Sequence, residues 1–210
     1  MKPWKWRSNT IMNITRKYAA FCLLAASCLL FACTSLTRSD RPSVTTWWLK
    51  PHESQATMAT AAPVRKVSLS VTAVPGLDSD QILALSADAT LRPFAGARWA
   101  GYLPELTASL IGRSLEVSGR FEFVPDRLSA GAASCDLQLE FTEFFAELDP
   151  GGMTTAVSVD VKGRFQCKPG EAVVFQSEAY VPVADNRMTV IVSAFQRALD
   201  HVTEDILGKI

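Results

Sequence analysis

Histidine is nearly absent from this chain, whose 210 residues include only His52 and His201. Neither histidine has Cys, Asp or Glu neighbours at the spacing of a zinc motif, which argues against a metal centre. His201 precedes Glu204 and Asp205, a pattern typical of a solvated helix face. The sequence also lacks Gly-x-Ser-x-Gly and a phosphate-binding glycine loop, so it offers neither a nucleophile elbow nor a nucleotide site. These absences favour a binding or assembly component without a cofactor over an enzyme.

The N-terminal 32 residues contain no acidic side chain, but they carry five basic ones before residue 18. The uncharged run Tyr18–Ala32, "YAAFCLLAASCLLFA", follows directly. Its length falls short of the roughly 20 residues that a membrane-spanning helix needs. A basic stretch, a short apolar run and small residues at its end predict a secretory signal peptide over residues 1–32. Met12 is an alternative start that would give the signal a more ordinary length.

The apolar run ends in Leu30-Phe31-Ala32-Cys33, which fits the bacterial lipobox. The thiol of Cys33 is the nucleophile that would take a diacylglycerol group, and the small residue before it suits the peptidase. Cys28 is a weaker candidate because Leu is missing three positions before it, and a plain signal peptide with an incidental Cys is the alternative. In enterobacteria an Asp after the lipidated Cys retains lipoproteins in the inner membrane. Thr34 therefore favours the periplasmic face of the outer membrane.

The processed chain has a small net negative charge. Removing the five basic residues before Cys33 leaves 16 basic against 21 acidic side chains, a net charge of about −5. This balance provides no basic patch and argues against nucleic-acid binding. Asp78 and Asp80 are candidates for a cation site, but "GLDSD" is better explained as a turn.

Composition divides the processed chain into a tether and a domain. Residues 33–63 are rich in Ser, Thr, Ala and Pro, as expected of a lipidated tether, and residues 64–210 form one domain. The island "TTWWLKP" interrupts the tether near residues 45–50. Its adjacent Trp47 and Trp48 are either a membrane-interface anchor or a short strand with one Trp packed and the other exposed.

Two alternating stretches, "CDLQLEFTEFFAEL" and "TTAVSVDVKGRFQC", flank the turn "DPGG" and predict a hairpin. Folding about Gly151 pairs residues whose numbers sum to 302, which brings Leu137 opposite Phe165 and Cys135 opposite Cys167. These two cysteines are the only ones left after removal of the signal and lipidation of Cys33, and an oxidising compartment would join them. Two free buried thiols, offset by one register step, are the alternative.

The phase of the first hairpin strand slips by one at Phe144 and Phe145, which predicts a β-bulge. Two helices are expected. The first has Pro104 in its first turn and Gly119 as its cap, and the second begins after an N-cap at Asp185 or Asn186. The second helix carries a helical stripe of Ile191, Phe195, Ala198, Val202 and Ile206. The predicted fold is a single α+β domain with a mainly antiparallel sheet and two long helices packed on one face.

Several segments together resemble the ABC-type transport auxiliary lipoproteins, the group that includes the paraquat-inducible protein C-like lipoproteins. They are the lipobox, "WWLKP", "VPGLDSDQI", "LRPFAGARWAGYLPELTASL" and "FQRALDHVTEDIL". The most specific part is Arg98-Trp99 followed by Leu103-Pro104, because an Arg-Trp pair opens the first long helix in this family. The similarity is loose between Lys50 and Val64.

The resemblance implies a role and no reaction. Such lipoproteins accompany transporters built from an ABC ATPase, a permease and a periplasmic protein with MCE (mammalian cell entry) domains. These systems move lipids or other apolar molecules between the inner and outer membranes. The expected partners are the MCE-domain protein and, through the lipid anchor, the outer membrane; self-association stays open. The alternative is a free-standing structural or envelope-stress lipoprotein with an unrelated periplasmic partner. We expect Trp99 to be a core residue that contacts no ligand.

Overall fold

A computed structural model describes residues 43–53, 64–124 and 133–210, and Val44–Ile210 forms one compact unit. Cys28, Cys33 and the signal sequence lie outside the described residues. The strands are β1 (Thr45–Trp47), β2 (Arg65–Ala73), β3 (Gln81–Leu85), β4 (Leu91–Trp99), β5 (Phe121–Val124), β6 (Cys135–Leu148), β7 (Thr154–Cys167) and β8 (Ala172–Pro182); the helices are α1 (Leu103–Val117) and α2 (Met188–Lys209). Neither of these helices has the length and apolar character needed to cross a membrane.

The long strand β6 organises the sheet. One of its edges pairs with β7 along its whole length, and β7 pairs in turn with β8. The other edge is shared: the first half of β6 runs parallel to β2, and its end runs parallel to β3. Strand β5 extends the sheet beyond β2, and β4 followed by β1 extends it beyond β3.

The α+β class is confirmed, and the sheet is mixed: antiparallel pairs account for most of the paired residues, but parallel strand pairs are also present. Among the described strands, four of the seven pairings are parallel, namely β1–β4, β2–β5, β2–β6 and β3–β6. The reason is that β2, β3 and β5 pair with strands distant in sequence, and only β3–β4, β6–β7 and β7–β8 are joined by short turns. Parallel pairs need such distant connections.

The β6–β7 hairpin has the predicted register. Cys135 lies opposite Cys167 and Leu137 opposite Phe165, and a disulfide joins the two cysteines. The pairing shifts by one residue between Phe141 and Glu143, so the predicted bulge is present. The shift keeps Phe144 on the buried face of the strand.

Both helices bury their apolar stripes in one core against the sheet. Helix α1 packs on β2 and β5, and α2 packs on β7 and β8. The predicted α2 stripe is fully buried: Ile191, Phe195, Ala198, Val202 and Ile206. Trp99 lies at the centre of this core with its ring edge-on to Phe195 and Phe144, at centroid distances of 5.2 and 5.9 Å.

The predicted ends of the helices are partly right. Pro104 lies in the first turn of α1, and Gly119 follows the C-cap with a φ of +69°, a conformation that glycine adopts without strain. The prediction for α2 is wrong, because the N-cap is Arg187 and it makes no side-chain capping bond. Asn186 is occupied elsewhere, since its Oδ1 accepts hydrogen bonds from the N–H and hydroxyl of Thr154 in β7. Tertiary contacts therefore displaced the local cap.

Gly163 in β7 allows Phe175 of β8 to pack directly over the backbone. A Cβ at residue 163 would lie 2.2 Å from the Phe175 ring. We therefore expect Gly163→Ala to lower the free energy of unfolding by about 1–3 kcal/mol, the usual cost of overpacking. Chemical denaturation measures this loss. Gly208→Ala is the matched control, because nothing lies within 4 Å of its Cβ position; a Gly163→Ala protein as stable as this control would contradict the packing.

Candidate functional site

The segment that carries the tryptophan pair docks on the domain. Strand β1 places Trp47 beside Trp99, and the next two residues diverge: Trp48 is exposed and Leu49 is fully buried. Trp47 packs partly on the core, and its Nε1 is the only buried side-chain nitrogen or oxygen without a hydrogen-bond partner in the described part of the chain. We call residues 47–53 the strap, because they lie across the two helices.

Side chains of both helices hold the strap through its backbone. The Gln196 amide of α2 accepts a hydrogen bond from the Lys50 N–H at 2.7 Å and donates one to the Lys50 carbonyl at 3.0 Å. Gln196 also donates to Asp200, which orients the amide. The Ser114 hydroxyl of α1 accepts a hydrogen bond from the His52 N–H at 2.9 Å. These backbone contacts fix the strap on the two helices.

Gln196→Ala is expected to loosen the strap by removing both hydrogen bonds to Lys50. The loss of hydrogen bonds contributes about 1–2 kcal/mol, so amide exchange at Lys50 should become roughly 5- to 30-fold faster. Hydrogen-exchange mass spectrometry of the strap measures the effect. Arg197→Ala is the control because, among the described residues, Arg197 hydrogen-bonds within its own helix, to Ser193. Unchanged exchange in Gln196→Ala would show that the hydrogen bonds to Lys50 do not hold the strap.

The Arg98-Trp99 motif joins the sheet to α1. The Arg98 guanidinium lies 3.3 Å from the Asp80 carboxylate, so Asp80 is engaged in an ion pair within the predicted turn region. The Trp99 N–H donates to the Asp80 carbonyl, and the Leu103 N–H donates to the Ser79 carbonyl. These bonds tie the loop before β3 to the start of α1. Of the motif residues, Trp99 and Leu103 are buried, whereas Arg98 is exposed.

The sheet face opposite the helices is polar and open. A depression of about 470 Å³ on β6, β7 and β8 is lined by Glu143, Ser158, Asp160, Gln176, Glu178, Ala179 and Tyr180. Hydrogen bonds already engage two of its three acidic groups, since Ser158 donates to Glu143, and Thr142 and Gln176 both donate to Asp160. Among the described residues no cluster of His, Cys, Asp and Glu is arranged to hold a metal ion.

Helix α2 covers part of strand β8 with a small polar cluster. Lys209 donates hydrogen bonds to the Gln176 carbonyl and to Asp205, and Ser177 also donates to Asp205. Partial burial raises the pKa of the Asp205 carboxyl, but the hydrogen bonds from Lys209 and Ser177 and the nearby positive charge lower it more, so its pKa lies below the ordinary value. A lysine at this position occupies a carbonyl of the sheet's outer strand, which discourages unwanted strand pairing.

Sequence reasoning missed the residues that hold the strap. Gln196, Ser114 and Asp200 are single polar residues on amphipathic helices, and no spacing or motif distinguishes them from solvated positions. His52 lies in the strap with its Nδ1 3.7 Å from Asp200 of α2, and His201 is exposed on the same helix.

The chain is similar in sequence to a known protein family and in structure to solved proteins. The family model described as "ABC-type transport auxiliary lipoprotein component" matches residues 48–207. A Xanthomonas campestris protein of the DUF330 family has a similar structure, with a TM-score of 0.64 and 16% identity over 79% of this chain and 93% of that one. An uncharacterized protein has a TM-score of 0.60 and 12% identity over 79% of this chain and 97% of that one. No functionally curated protein has a significantly similar sequence.

The matched region begins at Trp48 in the strap and ends at Leu207 in the last turn of α2. It therefore includes the Arg98-Trp99 junction, both helices and the whole β6–β8 sheet region. The structural likenesses support the fold alone because their identities are low, whereas the family match spans most of the chain. The chain belongs to the ABC-type transport auxiliary lipoprotein family.

Proposed function

We propose that this protein is a non-catalytic accessory component of an ABC transport system of the MCE type, anchored by lipid at the periplasmic face of the outer membrane. There it holds or receives the periplasmic conduit through which lipid passes between the membranes. The observation that carries the proposal is the family match over residues 48–207. The lipobox ending at Cys33 supports the anchor, and Thr34 supports the outer membrane as its location.

A tethered domain suits such a role physically. Several buried acyl chains anchor a protein stably, since each CH₂ contributes about 0.8 kcal/mol. The anchor keeps the domain within the length of its tether from the membrane, which raises the effective concentration for a weak partner. The folded unit then needs a docking surface and no reaction centre.

The anchor is tested by Cys33→Ala. We expect this variant to lose acyl labelling and to move from the membrane fraction to the soluble periplasm, because the thiol that takes the lipid is gone. Fatty-acid labelling in cells followed by fractionation gives both readouts. Cys28→Ala is the matched control and should behave as the wild type. Labelling that persisted in Cys33→Ala and vanished in Cys28→Ala would assign the anchor to the other cysteine.

The partner is tested by affinity purification from detergent-solubilised membranes. We expect an ABC ATPase, a permease and an MCE-domain protein to co-purify with the wild-type protein. Recovery of only peptidoglycan-binding or outer-membrane assembly proteins would contradict the proposed role and favour a free-standing lipoprotein.

A further inference from the structure

Two exposed aromatic side chains lie at one end of the sheet. Trp48 is 68% exposed and Tyr102 is 57% exposed. Strands β1 and β4 run parallel with Trp47 opposite Trp99, so Trp48 follows its strand by one residue and Tyr102 follows the neighbouring strand by three. Both residues therefore leave the sheet at the same end.

The exposure of Trp48 is enforced by the backbone around it. Trp47 belongs to β1, Leu49 is fully buried, and Lys50 is held at both its N–H and its carbonyl by Gln196. The Trp48 side chain is thus presented to the outside from a fixed position. Aromatic side chains bury about 150–250 Å² when covered, so leaving one in water forgoes a large stabilisation. A surface that covers Trp48 is the simplest explanation for its placement.

The length of chain between Cys33 and the strap indicates which surface this is. Trp48 lies 15 residues after Cys33. A chain spans at most about 3.6 Å per residue, so Trp48 cannot be farther than about 54 Å from a lipid on Cys33. The start of β2, at Arg65, is 32 residues from Cys33, and without the strap the same limit would be about 115 Å. The strap therefore makes the Trp48 end of the domain the end tied most closely to the membrane.

We propose that Trp48 and Tyr102 insert into the interfacial layer of the phospholipid leaflet that holds the anchor, and so fix the orientation of the domain on the membrane. Trp and Tyr are the residues that favour this layer, because each combines an apolar ring with a polar N–H or O–H. The inference rests on the proposed lipid anchor at Cys33 for the nearness of the membrane. It goes beyond that anchor by assigning a contact to the folded domain itself.

The test uses the tryptophan emission of the lipidated protein. After removal of the signal, the chain retains only Trp47, Trp48 and Trp99, of which Trp99 is buried and Trp47 packs on the core. The protein is purified from membranes and reconstituted in phosphatidylethanolamine/phosphatidylglycerol vesicles, with or without brominated acyl chains. We expect the brominated lipid to quench the wild-type emission, and we expect this quenching to fall severalfold in Trp48→Phe, which keeps an apolar ring but removes the reporter.

Two further variants separate membrane contact from chance proximity. Tyr102→Ser should weaken the quenching of Trp48, whereas Tyr180→Ser should not, because Tyr180 is equally exposed but lies on β8, at the opposite edge of the sheet. Equal quenching of wild type and Trp48→Phe, or none in an anchored protein, would overturn the contact. If the purified protein carries no lipid, the proposed anchor fails separately. The chain beginning at Cys33 is then coupled through that thiol to a maleimide lipid, and the same quenching decides the contact.

Discussion

Trp99→Ala is expected to lower the free energy of unfolding by about 3–5 kcal/mol, the usual cost of truncating a buried aromatic residue. Trp99 is only 2% exposed and packs edge-on against Phe195 of α2 and Phe144 of β6. Its loss opens a cavity where the sheet meets α2. Urea denaturation followed by circular dichroism measures the change.

The control for Trp99 is Trp48, an exposed tryptophan in the strap. Trp48→Ala removes an exposed ring and should change stability by no more than about 0.5 kcal/mol. Any loss of partner binding in Trp99→Ala should follow its loss of folding. A Trp99→Ala protein with wild-type stability that had lost only partner binding would show that Trp99 is a contact residue, against the core position it has here.

Loss of the Cys135–Cys167 disulfide has the second largest expected effect. The bond joins residues 32 positions apart, for which the chain-entropy model predicts about 3–4 kcal/mol as an upper figure. Contacts that persist between β6 and β7 in the unfolded chain reduce this value. The Cys135→Ala/Cys167→Ala protein should therefore unfold at a lower urea concentration than the wild type.

Reducing agent provides the matching experiment without a change in packing. It should destabilise the wild-type protein and leave the double variant unaffected, because the variant has no bond to break. Thiol counting on the unfolded, unreduced domain gives the direct check. Two free thiols besides Cys33 would rule out the bond in the mature protein.

The sequence was sufficient to predict the β6–β7 hairpin because its signals are local. A strong turn fixes the register of two alternating strands, and the phase slip at Phe144 and Phe145 marks the bulge. The α2 stripe was equally clear, since its five positions repeat with helical spacing and are all buried. In both cases one short stretch contains the whole pattern.

The parallel pairings could not be predicted in this way. The alternation of Val67, Leu69 and Val71 shows which face of β2 is buried, but it does not say that β2 lies beside β6 and β5. No turn connects these partners, so only the packing of the complete core selects them. The predicted N-cap of α2 was wrong for a related reason, because the Asn186 side chain accepts a hydrogen bond from Thr154 in a distant strand.

The strap was only half predictable. A short strand with one tryptophan packed and the other exposed was one of the two alternatives; β1 ends at Trp47, which packs on the core, and the exposed Trp48 follows it. The binding of the strap to α1 and α2 depends on Ser114 and Gln196, whose side chains bond to backbone atoms and therefore recognise no particular strap sequence. Such contacts therefore cannot be recognised from the amino-acid sequence.

The most direct test of the proposed role identifies the binding partner and the membrane location of this protein in one experiment. Intact cells are treated with a membrane-permeant crosslinker, their membranes are separated by density, and the crosslinked products of this lipoprotein are identified by mass spectrometry. We expect a product with an MCE-domain protein in the outer-membrane fraction, and we expect it to disappear in Cys33→Ala. A wild-type protein in the outer-membrane fraction that crosslinks to no component of an ABC transport system would contradict it.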